Sequence, residues 1–379
     1  MSISDLEDFT MTTLPLAGVR ILSLAEQYPG PYATMLLADL GADVILVERP
    51  AGGDPSRRFP GLFAALNRNK RSVTLDLKSA TGHAEFLTLV DSADVVLEGY
   101  RPGVMARLQL GADVLQARKP GLIFVSISSF GQPGPGVGVA GHDLSIQGAA
   151  GMVDVAPGAE GHFALPVLPL ADIASAMFAA LGVVTALFAR TRNGAGTTID
   201  VSMLDSLVSW MTPFLVPPMN DLPTRALPPE DPGYGLFATA DQRQITLSIA
   251  GEDRMWEALC GLLKLDQFAA LNEVERSARG AEITPLMRVA IAQWPCAALC
   301  ERLEAEKIAF GPVLKLHEVL TDAQMQSRRM TLDVASPSGG ATRFVRQPLV
   351  MNGAIGRVER AVPELGEHNA ELLSGALNA

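Results

Sequence analysis

Five groups of residues in this sequence are able to do chemistry, and each also has an ordinary structural reading. Asp172, in Leu168-Pro169-Leu170-Ala171-Asp172-Ile173, stands just ahead of an uncharged stretch from Ala174 to Ala189. A carboxylate at such a helix start can cap the helix. If it is desolvated yet kept ionised by the helix dipole, it can instead attack a thioester. His142-Asp143 follows the glycine-rich loop Gly131 to Gly138 and reads either as a general base oriented by a carboxylate or as a capped helix start. Glu252, in Ala250-Gly251-Glu252-Asp253, has the look of an exposed helix cap. Asn67-Arg68-Asn69-Lys70-Arg71 concentrates three cations and two amides, with Arg49, Arg57 and Arg58 upstream and Arg101 and Arg107 downstream. Guanidinium and ammonium donors in such number suit a phosphate or carboxylate ligand, the alternative being a solvated turn. Tyr28-Pro29-Gly30-Pro31 is a loop where phosphates could meet a helix N-terminus, or only a tight turn with proline in the first helical position.

The elements that must position these groups can be read from periodicity. Strands are predicted at Val19–Leu24, Asp43–Val47, Ser72–Leu77, Val95–Glu98 and Leu122–Ile127, with helices at Tyr32–Leu40 and Thr81–Ser92. Strands spaced by helices of this length imply βαβ units and a parallel, doubly wound sheet. The run Ala174–Ala189 reads as a helix buried in a globular core, because its 16 residues fall short of the roughly 20 that a membrane span needs. A helical pattern covers Val201–Leu215, and the Pro-rich passage beyond it is expected to deny helix and sheet alike. After it come a hairpin at Gly235–Ile249 and helices near Asp253–Leu263, Leu286–Gln293 and Ala297–Lys307. Two short strands between Leu332 and Leu349 and a helical ending complete the chain.

Composition narrows the function classes. The chain has 379 residues, 30 Lys and Arg against 41 Asp and Glu, and a formal charge of −11, which disfavours a general nucleic-acid binder. Its three cysteines, Cys260, Cys296 and Cys300, show no paired metal spacing. No apolar segment marks residues 1–13 as a secretory leader, so a cytoplasmic protein without membrane attachment is expected. The first loop lacks G-x-G-x-x-G, which removes the main support for a dinucleotide enzyme. No Gly-x-Ser-x-Gly, Walker or zinc pattern occurs either.

Five ordered blocks carry a resemblance. LAGVRILSLAEQYPGPYATMLLADLGADVILVERPAGGDPSR, NRNKRSVTLDLK, EGYRPGVMARL, ISSFGQPGP and LPLADIASAMFAALGVVTALFARTRNGAGTTIDVSMLDS resemble the family III CoA-transferases, the CaiB/BaiF family. That family includes formyl-CoA and carnitine CoA-transferases and the α-methylacyl-CoA racemases. The resemblance implies an α/β fold with a Rossmann-like large domain, a smaller α+β domain, and an interlocked homodimer. The large domain would take residues 1–215 and 325–379, a Pro-rich linker 216–234, and the small domain 235–324. It also implies that CoA moves between an acyl-CoA and a carboxylic acid through a covalent intermediate on Asp172, with CoA as substrate and no prosthetic group. CoA contacts would fall on Gln27, Tyr28, Arg49, Asn69, Lys70, Tyr100 and Arg107. The racemase branch would instead exchange an α-proton with His142, Asp143, Asp172 and Glu252. LPLADIASAMFAALG resembles the transferases, whereas racemases carry a glycine-rich run directly after the aspartate.

Overall fold

The computed structural model describes residues 14–154, 166–223, 231–335, 340–351 and 354–373. They fall into two compact units, Met1–Leu215 with Gln324–Ala379, and Val216–Ala323. The first unit is built on β1 (Arg20–Ser23), β2 (Asp43–Glu48), β3 (Lys70–Thr74), β4 (Val95–Glu98), β5 (Ile123–Ser128) and β6 (Thr198–Ser202). All are parallel, in the order β3-β2-β1-β4-β5-β6. The order reverses between β1 and β4, and in open parallel sheets a ligand crevice opens at that point beyond the strands' carboxyl ends.

The alternation of side chains along the strands assigns the two faces. Ile21, Val44, Val95, Leu97 and Val125 face α1 (Pro29–Asp39) and the long helix α7 (Leu170–Asn193), while Leu22, Ile45, Val73, Val96 and Phe124 face the other layer. That second layer holds α3 (Ala80–Ser92) and α5 (Ala112–Arg118). Both layers are apolar because each strand is covered on both sides. The connections carry α2 (Pro60–Asn67), α4 (Val104–Arg107) and α6 (Asp143–Ala149), with α7 at Leu170–Asn193 and α8 at Met203–Trp210.

Three expectations need correction here. The helical pattern from Val201 begins as β6, since Thr198–Ser202 completes the sheet beside β5, and only then turns into α8 at the Ser202 cap, whose hydroxyl accepts from Asp205 N. The Pro-rich passage does not exclude helix: α9 (Thr212–Met219) runs through Pro217 and Pro218 in its last turn, and residues 224–230 lie outside those described. Finally, α7 is not buried all round. Ala171, Ala174, Ala176, Ala179, Val183 and Ala186 pack inward, while Met177, Leu181, Val184 and Phe188 are exposed. Small residues let α7 approach α1 closely and leave its bulky apolar side chains outside. By length and composition alone α7 would also suffice to cross a membrane.

The second unit has its own core. Strands β7 (Tyr234–Ala238), β8 (Gln244–Ser248) and β9 (Phe310–Pro312) are antiparallel, and α10 (Asp253–Leu263), α11 (Glu273–Ala278), α12 (Gly280–Ile291) and α13 (Cys296–Ala305) pack on them around Trp256, Phe237 and Leu299. Short helices α14 (Leu316–Val319) and α15 (Ala323–Ser327) follow. The hairpin β10 (Thr331–Ala335) and β11 (Ala341–Val345), the pair β12 (Val350–Met351) and β13 (Ala354–Ile355), and α16 (Asn369–Leu373) then return the chain to the first unit. There α16 lies against β3, where His368 N donates to Ser72 O and the Asn369 side chain to Thr74 Oγ1.

Candidate active site

A cavity of about 360 Å³ opens where the sheet order reverses. The turn after β1 contributes Ala25 to Gly30, the loop after β4 Gly99 to Pro102, and the loop after β5 Ser128 to Gly131; His142, Asp143 and Asp172 also line it. Glycine is required at position 30, because an added Cβ would meet the Ala25 Cβ at 2.1 Å as α1 leaves the sheet.

Asp172 is the third residue of α7, and it does not cap that helix. The cap comes from another element: Asp143 Oδ1 accepts from Ala171 N (2.8 Å) and Asp172 N (3.3 Å). The other oxygen, Asp143 Oδ2, accepts from Gln147 Nε2 (2.6 Å), one turn along α6, and the same nitrogen donates to Leu168 O. The first-turn amides are thus satisfied by Asp143 and the carboxylate of Asp172 is left to the cavity. Burial, and then the negative charge of Asp143, push the Asp172 carboxyl up to about 7. Burial likewise raises the Tyr28 phenol, with Tyr32, Asp172 and Asp143 adding to the effect.

Other expectations for the site meet the structure unevenly. Gln27, Tyr28 and Tyr100 line the cavity, and burial pushes the Tyr100 phenol up to about 12. Arg49 does not line the cavity; its Nε donates to Gly53 O and its guanidinium is 3.8 Å from cavity-lining Glu26. Arg107 is exposed on α4, just past Arg101, which does line the cavity. His142 is at the mouth and exposed, but Asp143 does not orient it, since both Asp143 oxygens are engaged by Ala171, Asp172 and Gln147. Glu252 belongs to the second unit, where it is exposed and accepts from Ala250 N, holding the turn into α10.

The basic turn is a correction. Asn69 and Lys70 do not line the cavity. Lys70 is buried, donating from Nζ to Pro31 O and Asn67 Oδ1 (both 2.8 Å), and burial pushes its ammonium well below the usual lysine range. The Asn69 side chain donates to Asp39 and Arg357 O and accepts from Glu359 N and Arg360 N. Arg68 pairs with Asp39, and Arg71 with Asp43 and Glu371. These side chains are consumed in joining β3 to α1 and to the C-terminal return. Arg101 and Arg107 form no ion pair among the described residues, and Arg101 is a cation that lines the cavity. Asp54, which braces the first turn, was readable only as a local cap, from Asp54-Pro55-Ser56. Gln147 carried no sequence signal beyond its i+4 spacing from Asp143.

The family model for CoA-transferase family III matches residues 16–369. The chain belongs to CoA-transferase family III. The transferase is 31% identical over 383 residues to succinate–glutarate CoA-transferase of Agrobacterium fabrum, covering 95% of each chain. It is 33% identical over 387 residues to succinyl-CoA:mesaconate CoA-transferase of Haloarcula hispanica, covering 95% of this chain and 96% of that one. A CaiB/BaiF family protein from Brucella suis superposes with a TM-score of 0.84 at 28% identity, covering 96% of this chain and all of that one. The protein is a CoA-transferase, and racemisation is not favoured. In this transferase the Asp172 carboxylate, at a helix start whose amides Asp143 caps, faces a cavity that Arg101 also lines.

Proposed function

We propose that Asp172 is the covalent nucleophile and that the acceptor is a small dicarboxylate. The placement of Asp172 carries this reading: its amide is held by Asp143 while its carboxylate faces the cavity. An Asp172 oxygen attacks the thioester carbonyl carbon, the C–S bond breaks, and CoA leaves as a thiolate. The thiolate attacks the Asp172 carbonyl of the mixed anhydride, releasing the donor acid and leaving an aspartyl-CoA thioester. The acceptor carboxylate displaces the thiolate to form a second anhydride. Thiolate attack on the acceptor's acyl carbon then yields the new acyl-CoA and frees Asp172. The names of the relatives, with succinate, glutarate and mesaconate, support a dicarboxylate, and Arg101 supplies a cation for an anionic substrate at the lip. Hydroxylamine added with succinyl-CoA should leave a hydroxamate on Asp172, read by mass spectrometry. Modification elsewhere, with Asp172→Ala still turning over, would overturn the mechanism.

A second copy of this chain is the occupant proposed for the outer face of α7. Met177, Leu181, Val184 and Phe188 recur at helical spacing and form one exposed apolar stripe. Leu181→Glu should halve the mass seen by light scattering if the stripe is a dimer face. A parent that is already monomeric would remove this part of the proposal.

A further inference from the structure

The turn after β1 holds an unusual backbone. Gln27 has φ +67°, a left-handed conformation that residues with a Cβ rarely adopt, and it lines the cavity. Such a conformation persists only where the surroundings hold it. Here the holder is Asp54, in the loop after β2, whose two carboxylate oxygens accept from Gln27 N at 3.0 and 3.2 Å. Asp54 is 5% exposed and forms no ion pair among the described residues.

Local duties do not account for this carboxylate. Oδ1 accepts from Ser56 N and Ser56 Oγ, both at 2.7 Å, and that is enough to cap the 3-10 turn Pro55–Arg58. Oδ2 has no local donor and lies nearer to Gln27 N than Oδ1 does. Asp54 is itself fixed, since its own amide donates to Glu48 Oε2 (2.9 Å). Glu48 in turn is clamped by Arg57 and by Ser72 Oγ. A buried, braced acceptor is therefore aimed at a single strained amide of the cavity wall.

We infer that Asp54 is a positioning residue for CoA transfer, fixing the left-handed Gln27 turn in the cavity that holds Asp172. The inference rests on that cavity being the reaction site. With the Gln27 amide unpaired, the turn relaxes out of the left-handed region and the wall is displaced, a scale of misplacement worth about 100-fold in rate.

The test uses the full chain with succinyl-CoA and glutarate as probes. Asp54→Ala should lower kcat about 10- to 100-fold with the KM for succinyl-CoA changed less than about threefold. Asp54→Asn keeps one acceptor and sets an NH2 in place of the other, so its kcat should lie between Asp54→Ala and the parent. In a Gln27→Gly background, where glycine adopts the turn without strain, Asp54→Ala should lose less than about threefold. An unchanged kcat in Asp54→Ala, or an undiminished loss in the glycine background, would overturn the inference. Asp172→Ala keeps the two readings apart: if it still transfers CoA the site is wrong, whereas if it is dead and Asp54→Ala is fully active, only the role of Asp54 falls.

Discussion

At the scale of single residues the proposed chemistry turns on one carboxyl group, that of Asp172, which burial pushes up to about 7. Asp172 must be ionised to attack, and burial with the Asp143 charge holds it near 7, so kcat/KM should fall on the acid side of about pH 7. Asp143→Asn removes the neighbouring charge and keeps an acceptor for the α7 amides, so the acid limb should move to lower pH. A limb that stays in place in a pH–rate profile would mean that Asp143 acts only as a cap. The same elevation has a consequence for stability. The folded state binds the Asp172 proton more tightly than the unfolded chain, so this group contributes no penalty below about pH 3.8. The penalty grows as pH rises through the interval and is complete above about 7. Asp172→Asn should therefore stabilise the protein at pH 8 by roughly 1–3 kcal/mol, and by almost nothing at pH 4, measured by urea unfolding. On the proposed mechanism a poised nucleophile thus costs stability, in keeping with the trade of stability for activity at functional sites.

At the scale of elements, the cations of the basic turn and those after β4 have different work. Lys70 ties β3 to the start of α1 through Pro31 O and to the end of α2 through Asn67. Lys70→Met leaves the buried Asn67 Oδ1 unpaired and leaves Pro31 O with its weaker bond from Thr34 Oγ1, which should lower unfolding free energy by about 2–3 kcal/mol while the salt dependence of CoA binding stays as in the parent. Arg107→Ala should do the reverse, flattening the salt dependence with little change in stability, since Arg107 is exposed and outside any ion pair. Calorimetric titration with CoA at two ionic strengths separates the two outcomes. Much of this arrangement was legible in the chain. The strands Asp43–Val47 and Val95–Glu98 declared themselves by β-branched runs, and Asp172 by its place before an uncharged helix. The basic turn misled because a cluster of cations looks the same in sequence whether its partners are a ligand or Asp39, Asp43 and Glu371, the last of them 300 positions away. Asp143 was read as a partner for its neighbour His142, yet its acceptors serve amides 28 and 29 residues on. The strain at Gln27 is a property of φ, and no residue type at that position announces it.

At the scale of the whole molecule, the net charge of −11 says little about the site, because the arginines of the first unit are largely absorbed by carboxylates that hold distant segments together. The two compact units have separate cores, and each contains a different polar anchor. In the first, Asn69 has φ +62° and bonds the C-terminal return at Arg357 O, Glu359 N and Arg360 N. In the second, the fully buried Arg276 pairs with buried Asp231 and reaches Asp253. Asn69→Ala both strains a left-handed position and loosens the returning segment, which should lower the stability of the first unit by about 2–3 kcal/mol. Arg276→Met strands the Asp231 carboxylate in an apolar core, and should lower the second by about 3–5 kcal/mol. Two units with independent cores need not unfold as one. Hydrogen exchange followed by peptide should therefore show faster exchange in β2, β3 and α1 for Asn69→Ala and in β7, β8 and α10 for Arg276→Met. Equal acceleration of both units by either substitution would mean that their cores fold as a single cooperative body, and the anchors would then be parts of one network.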